Sequence, residues 1–123
     1  MVRKNRFIPH YSADELAALQ LDGIRWTIAH ALAGGPQYRA KLGDIRPEDI
    51  RTLDDVQKLP FTTTDDLREG YPLPLLSVPE RDVARVHASS GTTGKRKILA
   101  YTRKDIDTFA LQMARCFELA GLT

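Results

Sequence analysis

Cysteine is nearly missing from this sequence. A single one, Cys116, stands among 123 residues, which excludes a disulfide framework within the chain and a zinc site built on four cysteines. It falls in a predicted helix, where a buried structural thiol is expected. Aromatic residues are also sparse, at 7%, and they are not interleaved with the basic ones, which argues against a nucleic-acid surface. Charge of one sign is lacking too: the net charge is +2 and the pI about 8.8, too mild a balance to point to nucleic acid. No apolar run approaches the ~18 residues that span a bilayer. The basic amino terminus leads into Phe7-Ile8-Pro9-His10 rather than an apolar signal core. No membrane partner is therefore expected, and a reducing, cytoplasmic setting is. What remains is 42% hydrophobic and 28% charged, the composition of one ordinary globular domain with a modest core.

Punctuation along the chain divides it in two. Ser12-Ala13-Asp14-Glu15 has the form of a capping box. Leu16, Leu19, Ile24, Ile28 and Leu32 follow at helical spacing until Gly34-Gly35. Pro36 suits the first turn of a short second helix closed by Gly43. Pro47-Glu48-Asp49-Ile50 reads as one further turn, and Thr52 caps a helix that Pro60 must end. Thr64-Asp65-Asp66-Leu67 predicts a brief helix up to Gly70. Residues 71–82 carry three prolines and read as extended connector. Then the character changes. Val83 to Ala88 alternates like a strand, a loop follows, and Ile98 to Tyr101 predicts the returning strand. Thr102, with Asp105 three residues on, caps a last helix through Ile106, Phe109, Met113 and Phe117 to Gly121. Two strands and one helix leave sheet edges without partners, so the pattern looks unfinished.

The loop between those strands carries the chemistry. In His87-Ala88-Ser89-Ser90-Gly91-Thr92-Thr93-Gly94-Lys95-Arg96-Lys97, the glycines allow close backbone approach, and consecutive N–H groups can form an anion-binding nest. Ser89, Ser90, Thr92 and Thr93 add hydroxyl donors, and Lys95 adds a mobile ammonium. These groups suit a polyphosphate. The spacing is not that of the Walker loop, which has four residues between its glycines and Ser or Thr after its lysine. A solvated hairpin loop is the plainer alternative.

Six consecutive residues, Ser89 to Gly94, resemble the phosphate-binding signature of the adenylate-forming superfamily of acyl- and aryl-CoA synthetases. With "LPFTTTDDLREGYP", "RVHASSGTTGK" and "YTRKDIDTFALQMARC", the chain looks like the amino-terminal portion of the phenylacetate–CoA ligase branch from about Tyr11 onward. The resemblance implies an α/β fold, α+β within this stretch. Residues 1–82 would form a small helical subdomain and connector. Residues 83–123 would be the truncated start of the nucleotide-binding domain, with the phosphate loop at 89–97. It also implies ATP with Mg²⁺, CoA as co-substrate and a small aromatic carboxylic acid. Ser89, Ser90, Gly91, Thr92, Thr93, Gly94 and Lys95 would hold the β- and γ-phosphates while a carboxylate attacks the α-phosphate. Arg96 departs from the usual proline. The family's adenine-binding residues, substrate pocket and catalytic lysine match nothing here, so no catalytic residue is assigned and the piece itself is expected to be inactive. The alternative is a stand-alone, non-catalytic nucleotide-binding or partner-pairing protein from a split or decayed gene; a nucleic-acid module ranks third.

Other candidates have structural explanations. His87 is expected to be a strand histidine with a backbone partner, and Trp26 and Tyr38 to be core anchors. His10 and His30 lack partners at metal-ligand spacing, so no protein metal site is assigned. Asp54-Asp55 and Asp65-Asp66 suit first turns of helices, where negative charge complements the dipole. Arg103-Lys104 fits either phosphate support or a solvated helix start. The open hairpin predicts a homodimer or a domain-swapped oligomer.

Overall fold

The computed structural model describes residues 6–90 and 96–122. Helix α1, Ala13–Ala33, starts at the expected capping box: the Ser12 hydroxyl accepts from the Glu15 N–H, and the Glu15 carboxylate takes the Ser12 N–H at 2.8 Å. Helix α2, Pro36–Leu42, follows the Gly34-Gly35 turn. Two 3₁₀ segments come next, Pro47–Asp49 and Leu53–Lys58. The second was read as an ordinary helix. It forms instead as a tighter 3₁₀ turn that ends at Lys58, before Pro60.

One expected helix does not form. Residues 64–70 are turns, and the cap is Thr63 rather than Thr64: its hydroxyl accepts from the Asp66 N–H at 3.3 Å. Glu69 bonds back to Asp65 at 2.8 Å, a single helical turn before Gly70 takes φ +70°. One turn fixes several dihedrals for one bond and does not sustain itself. A further 3₁₀ turn, Glu80–Asp82, which the proline-rich reading missed, leads into the sheet.

Strands β1, Val83–Ala88, and β2, Ile98–Thr102, pair antiparallel, with a bulge between Val83 and Arg85. Helix α3, Arg103–Leu119, begins where β2 ends. Thr102 accepts from the Asp105 N–H, and Asp105 returns the bond at 2.7 Å. The whole is a mixed helical structure with one small antiparallel sheet, the α+β arrangement expected.

The buried core lies in the helical half. Ile28 and Ile50 are 3% and 0% exposed, joined by Ala31 and Leu42 and flanked by Leu21, Ile24, Leu32, Tyr38 and Leu59. Arg25 locks this layer by donating from Nε to the Ile50 carbonyl at 2.8 Å. Tyr38 packs where expected. Trp26 does not: it is 61% exposed, because two residues along a helix from Ile24 is about 200° around it. Its ring instead stacks on His30 at 4.9 Å, with Lys104 Nζ 6.0 Å from its centre. Cys116 is also exposed, not buried. The apolar stripe of α3 exists at the predicted spacing but is uncovered, with Phe109 64% and Phe117 49% exposed. No described helix is long and apolar enough to cross a membrane.

Candidate phosphate-binding loop

The hairpin presents its loop through a closed neck. Ser89 donates its N–H to the Lys97 carbonyl at 3.0 Å, and its hydroxyl oxygen accepts from the Lys97 N–H at 3.0 Å. One residue thus supplies both bonds that end the ladder. Its hydroxyl proton is left over for a ligand, since an oxygen that accepts one bond can still donate one. Ser90 follows, exposed, and on the far side Arg96 is exposed as well. Gly91, Thr92, Thr93, Gly94 and Lys95 lie outside the described residues. Of the seven proposed phosphate contacts, the structure therefore places Ser89 and Ser90, side by side at the neck.

Below the neck, His87 and Tyr101 face each other across the strands with rings 4.9 Å apart, tilted 54°. The histidine's placed partner is thus an aromatic ring. Among the described residues no group of three or more His, Cys, Asp or Glu side chains could hold a metal ion. The neck itself offers hydroxyls, backbone groups and cationic side chains, donors suited to an anion.

One aspartate of each pair, Asp55 and Asp66, turns out to be a fastener. Asp66 accepts from Thr63 and from Lys41 Nζ at 2.7 Å, so it ties the 64–70 turns to α2. The Lys41 hydrogen bond leads the causes that lower its carboxyl from 3.8 to about 2. Asp55 caps the second 3₁₀ segment and pairs with Lys58 at 2.7 Å, which holds its carboxyl well below the usual range. Both aspartates are thus capping and pairing groups.

Two features escaped the sequence reading. The Ser89 neck was hidden because a serine in a phosphate signature attracts a ligand role first. The other is Glu118, at the carboxy-terminal end of α3, which accepts from the N–H groups of Phe7 and Ile8 at 3.0 Å each and from that of Arg6. An acid at that end of a helix opposes the dipole, and that oddity was the available signal.

Against solved structures, the chain is similar to part of a CoA ligase. It aligns with 2-hydroxyisobutyryl-CoA ligase, solved with 2-HIB-AMP and CoA, at TM-score 0.69 and 27% identity over 84% of this chain and 24% of that one. The sequence narrows the class. The chain is 47% identical over 112 residues to phenylacetate-coenzyme A ligase of Aromatoleum evansii and 46% identical to that of Escherichia coli. The Thermus thermophilus enzyme of the same name matches at 42% over 110 residues. These alignments take in 88–89% of this chain and 25–26% of each relative, so the chain spans about a quarter of the length of the curated relatives it matches. The likeness to the phenylacetate–CoA ligase branch is thereby borne out, and it supports an amino-terminal portion of such a ligase. No protein-family profile matches the chain.

Proposed function

We propose that this chain is the amino-terminal part of an ATP-dependent aryl-carboxylate–CoA ligase, joining an acid to CoA with release of AMP and pyrophosphate. The observation that carries the reading is the Ser89–Lys97 neck under a loop whose sequence fits the superfamily's phosphate signature. Residues 1–82 serve as the helical subdomain and connector, and residues 83–123 begin the nucleotide-binding domain. Ser89, Ser90, Gly91, Thr92, Thr93, Gly94 and Lys95 hold the β- and γ-phosphates of ATP, with Mg²⁺ carried on the nucleotide. Donors set around the departing pyrophosphate act best where charge accumulates in the transition state, and a clamped neck holds them at low entropic cost. ATP and CoA as substrates fit a cytoplasmic setting.

The test is acid-dependent ATP–pyrophosphate exchange by the complete polypeptide, with arylacetates tried first. Exchange is expected there and not from the 123-residue piece, in which nothing assigned serves as general base or acid-binding pocket. Exchange by the piece alone would overturn the assignment of its role.

A second reading, a non-catalytic protein that pairs with another chain, is favoured by one observation: the uncovered apolar stripe of α3. Under either reading a dimer or a strand- or helix-swapped oligomer is expected at high concentration, and a sharp monomer by light scattering would count against it.

A further inference from the structure

The helical half and the hairpin half share no buried core. Among the described residues the buried apolar side chains, Ile28, Ala31, Leu42 and Ile50, all belong to the helical half, and β1, β2 and α3 contribute none. Particular contacts therefore orient one half against the other. The connector is one. A Cβ added at Gly34 would stand 2.7 Å from the Ser77 Cα, and one at Gly35 would stand 3.2 Å from the Leu76 carbonyl oxygen. The chain on its way to β1 is thus seated closely against the end of α1. One seat fixes a position but not a direction.

The second fixed point is at the far end of α3. Arg115 and Glu118 lie three residues apart, on one side of the helix, where opposite charges ordinarily pair with each other. Here each bonds to the amino-terminal segment instead. Glu118 Oε2 accepts from the N–H groups of Phe7 and Ile8 at 3.0 Å each and Oε1 from that of Arg6, while Arg115 Nε donates to the Phe7 carbonyl at 3.0 Å. Both backbone groups of Phe7 are held, each by a charged side chain, which makes the stronger kind of bond. Four residues after Ile8 the chain reaches Ser12, the cap of α1, a span of at most ~14 Å. At the other end of the two helices, Lys104 Nζ sits 6.0 Å from the centre of the Trp26 ring. Lys104 and Glu118 are about 21 Å apart along α3, and Ser12 and Trp26 are about as far apart along α1. The two helices therefore lie alongside each other in opposite directions, tied at both ends.

We propose that Arg115 and Glu118 are positioning residues: by gripping the backbone of residues 6–8 they fix the direction of α3, and with it the hairpin neck, against the helical core. The transmission is short. Helix α3 starts at Arg103, directly after the Thr102 that ends β2, and the Thr102 N–H is held by Asp105 at 2.7 Å. Lys97, one residue before β2, closes the neck on Ser89. No flexible linker intervenes between the grip and the neck. A carboxylate at the end of a helix opposes its dipole, so Glu118 weakens α3 taken alone, and the bonds that offset this are those to residues 6–8. The link to ATP binding rests on the ligase reading, in which the neck carries the phosphate loop; the orientation of α3 does not.

The chain carries its own ruler. Trp26 is the only tryptophan and Cys116 the only cysteine, the thiol is exposed, and they stand on the two helices that the grip joins. The experiment attaches a dansyl-type acceptor to Cys116 of the 123-residue chain and reads energy transfer from Trp26. Glu118→Gln, and separately deletion of residues 2–8, are each expected to lower the transfer and widen the spread of donor lifetimes. Exchange protection around Ile28 and Ile50 should stay as it was. In the chain lacking residues 2–8, Glu118→Gln should have no further effect, because both changes open the same contact. If the deletion unfolds the chain, Arg115→Lys, which keeps the charge but removes the Nε donor, should lower the transfer by itself. Unchanged transfer in Glu118→Gln would overturn the proposal. So would a full effect of that change without residues 2–8, which would mean that Glu118 acts on its own helix. In the complete polypeptide, Glu118→Gln should raise the KM for ATP about tenfold, the size expected for lost bonds to a charged group, with the KM for the acid unchanged. An unchanged ATP KM would overturn the link to the neck. Absence of pyrophosphate exchange by the unmutated complete polypeptide would instead strike the ligase reading and leave energy transfer to decide the grip.

Discussion

Ser89 holds the hairpin neck with its backbone and its hydroxyl at once, so its removal should act in two ways. Ser89→Ala leaves the Lys97 N–H without its acceptor in a half-buried place, a loss worth about 1–3 kcal/mol. It also removes a placed hydroxyl at the neck whose proton can donate. Gly94→Asp acts differently, bringing bulk and negative charge where a phosphate would approach. The expected outcome is that Gly94→Asp abolishes ATP binding with the melting midpoint unchanged, while Ser89→Ala lowers both. Isothermal calorimetry beside thermal melts separates them, and equal melting losses in both would sink the distinction. Gly34 marks a different residue-level demand. Its φ of −79° suits any residue, yet a Cβ there would meet Ser77 Cα at 2.7 Å. Gly34→Ala should therefore cost roughly 1–3 kcal/mol by overpacking, read as a lowered denaturant midpoint with unchanged slope. From sequence that glycine was legible as a helix stop but not as a contact, because the partner lies more than forty residues on and no local pattern encodes it.

At the level of elements, what could be read was what is encoded locally. The Ser12 and Thr102 capping boxes and the helix at Pro36 rest on residues within a few positions of each other, the hairpin on two strands consecutive in the chain, and all of them formed. Trp26 and Cys116 were misplaced because helical spacing gives a face but not which face finds a partner. The loop signature named its residues, although five of them lie outside the described residues. The Thr102 box joins strand to helix with no connecting residue, so it fixes where α3 leaves the sheet. Thr102→Ala should cost about 0.5–2 kcal/mol, with the loss felt in α3 and at the end of β2 together. Glu118 fastens the other end of the same helix to residues 6–8, and Arg115 Nε adds a bond to the Phe7 carbonyl at 3.0 Å. Glu118→Gln keeps the shape but weakens a charge-assisted acceptor. Amide exchange at Phe7 and Ile8 should then rise, with trypsin cutting after Arg6 sooner. Unchanged exchange there would mean the fastening is not made in solution.

For the whole molecule, the buried core of Ile28, Ala31, Leu42 and Ile50 sits in the helical half, while among the described residues the hairpin and α3 keep their apolar side chains largely in the open. Exchange protection should follow that division, deepest around Ile28 and Ile50 and shallow in β1, β2 and α3. Acid should act on the helical half through its carboxylates. Asp66 is lowered from 3.8 to about 2, first by Lys41, then by Thr63, and Asp55 and Glu15 are lowered too. A carboxyl lowered in the folded state binds its proton more readily once unfolded. Each therefore stabilises the fold above the unfolded value, and that contribution drains away as pH falls through the folded one. The window for Asp66 runs from about 4 down to about 2. Asp66→Asn removes the titrating group and the charge that Lys41 meets, so it should lower stability at neutral pH and flatten the fall across that window. Denaturant melts of both proteins at stepped pH make the check. Parallel curves would show that the Lys41–Asp66 tie contributes nothing, and that the 64–70 turns are held to α2 by packing alone.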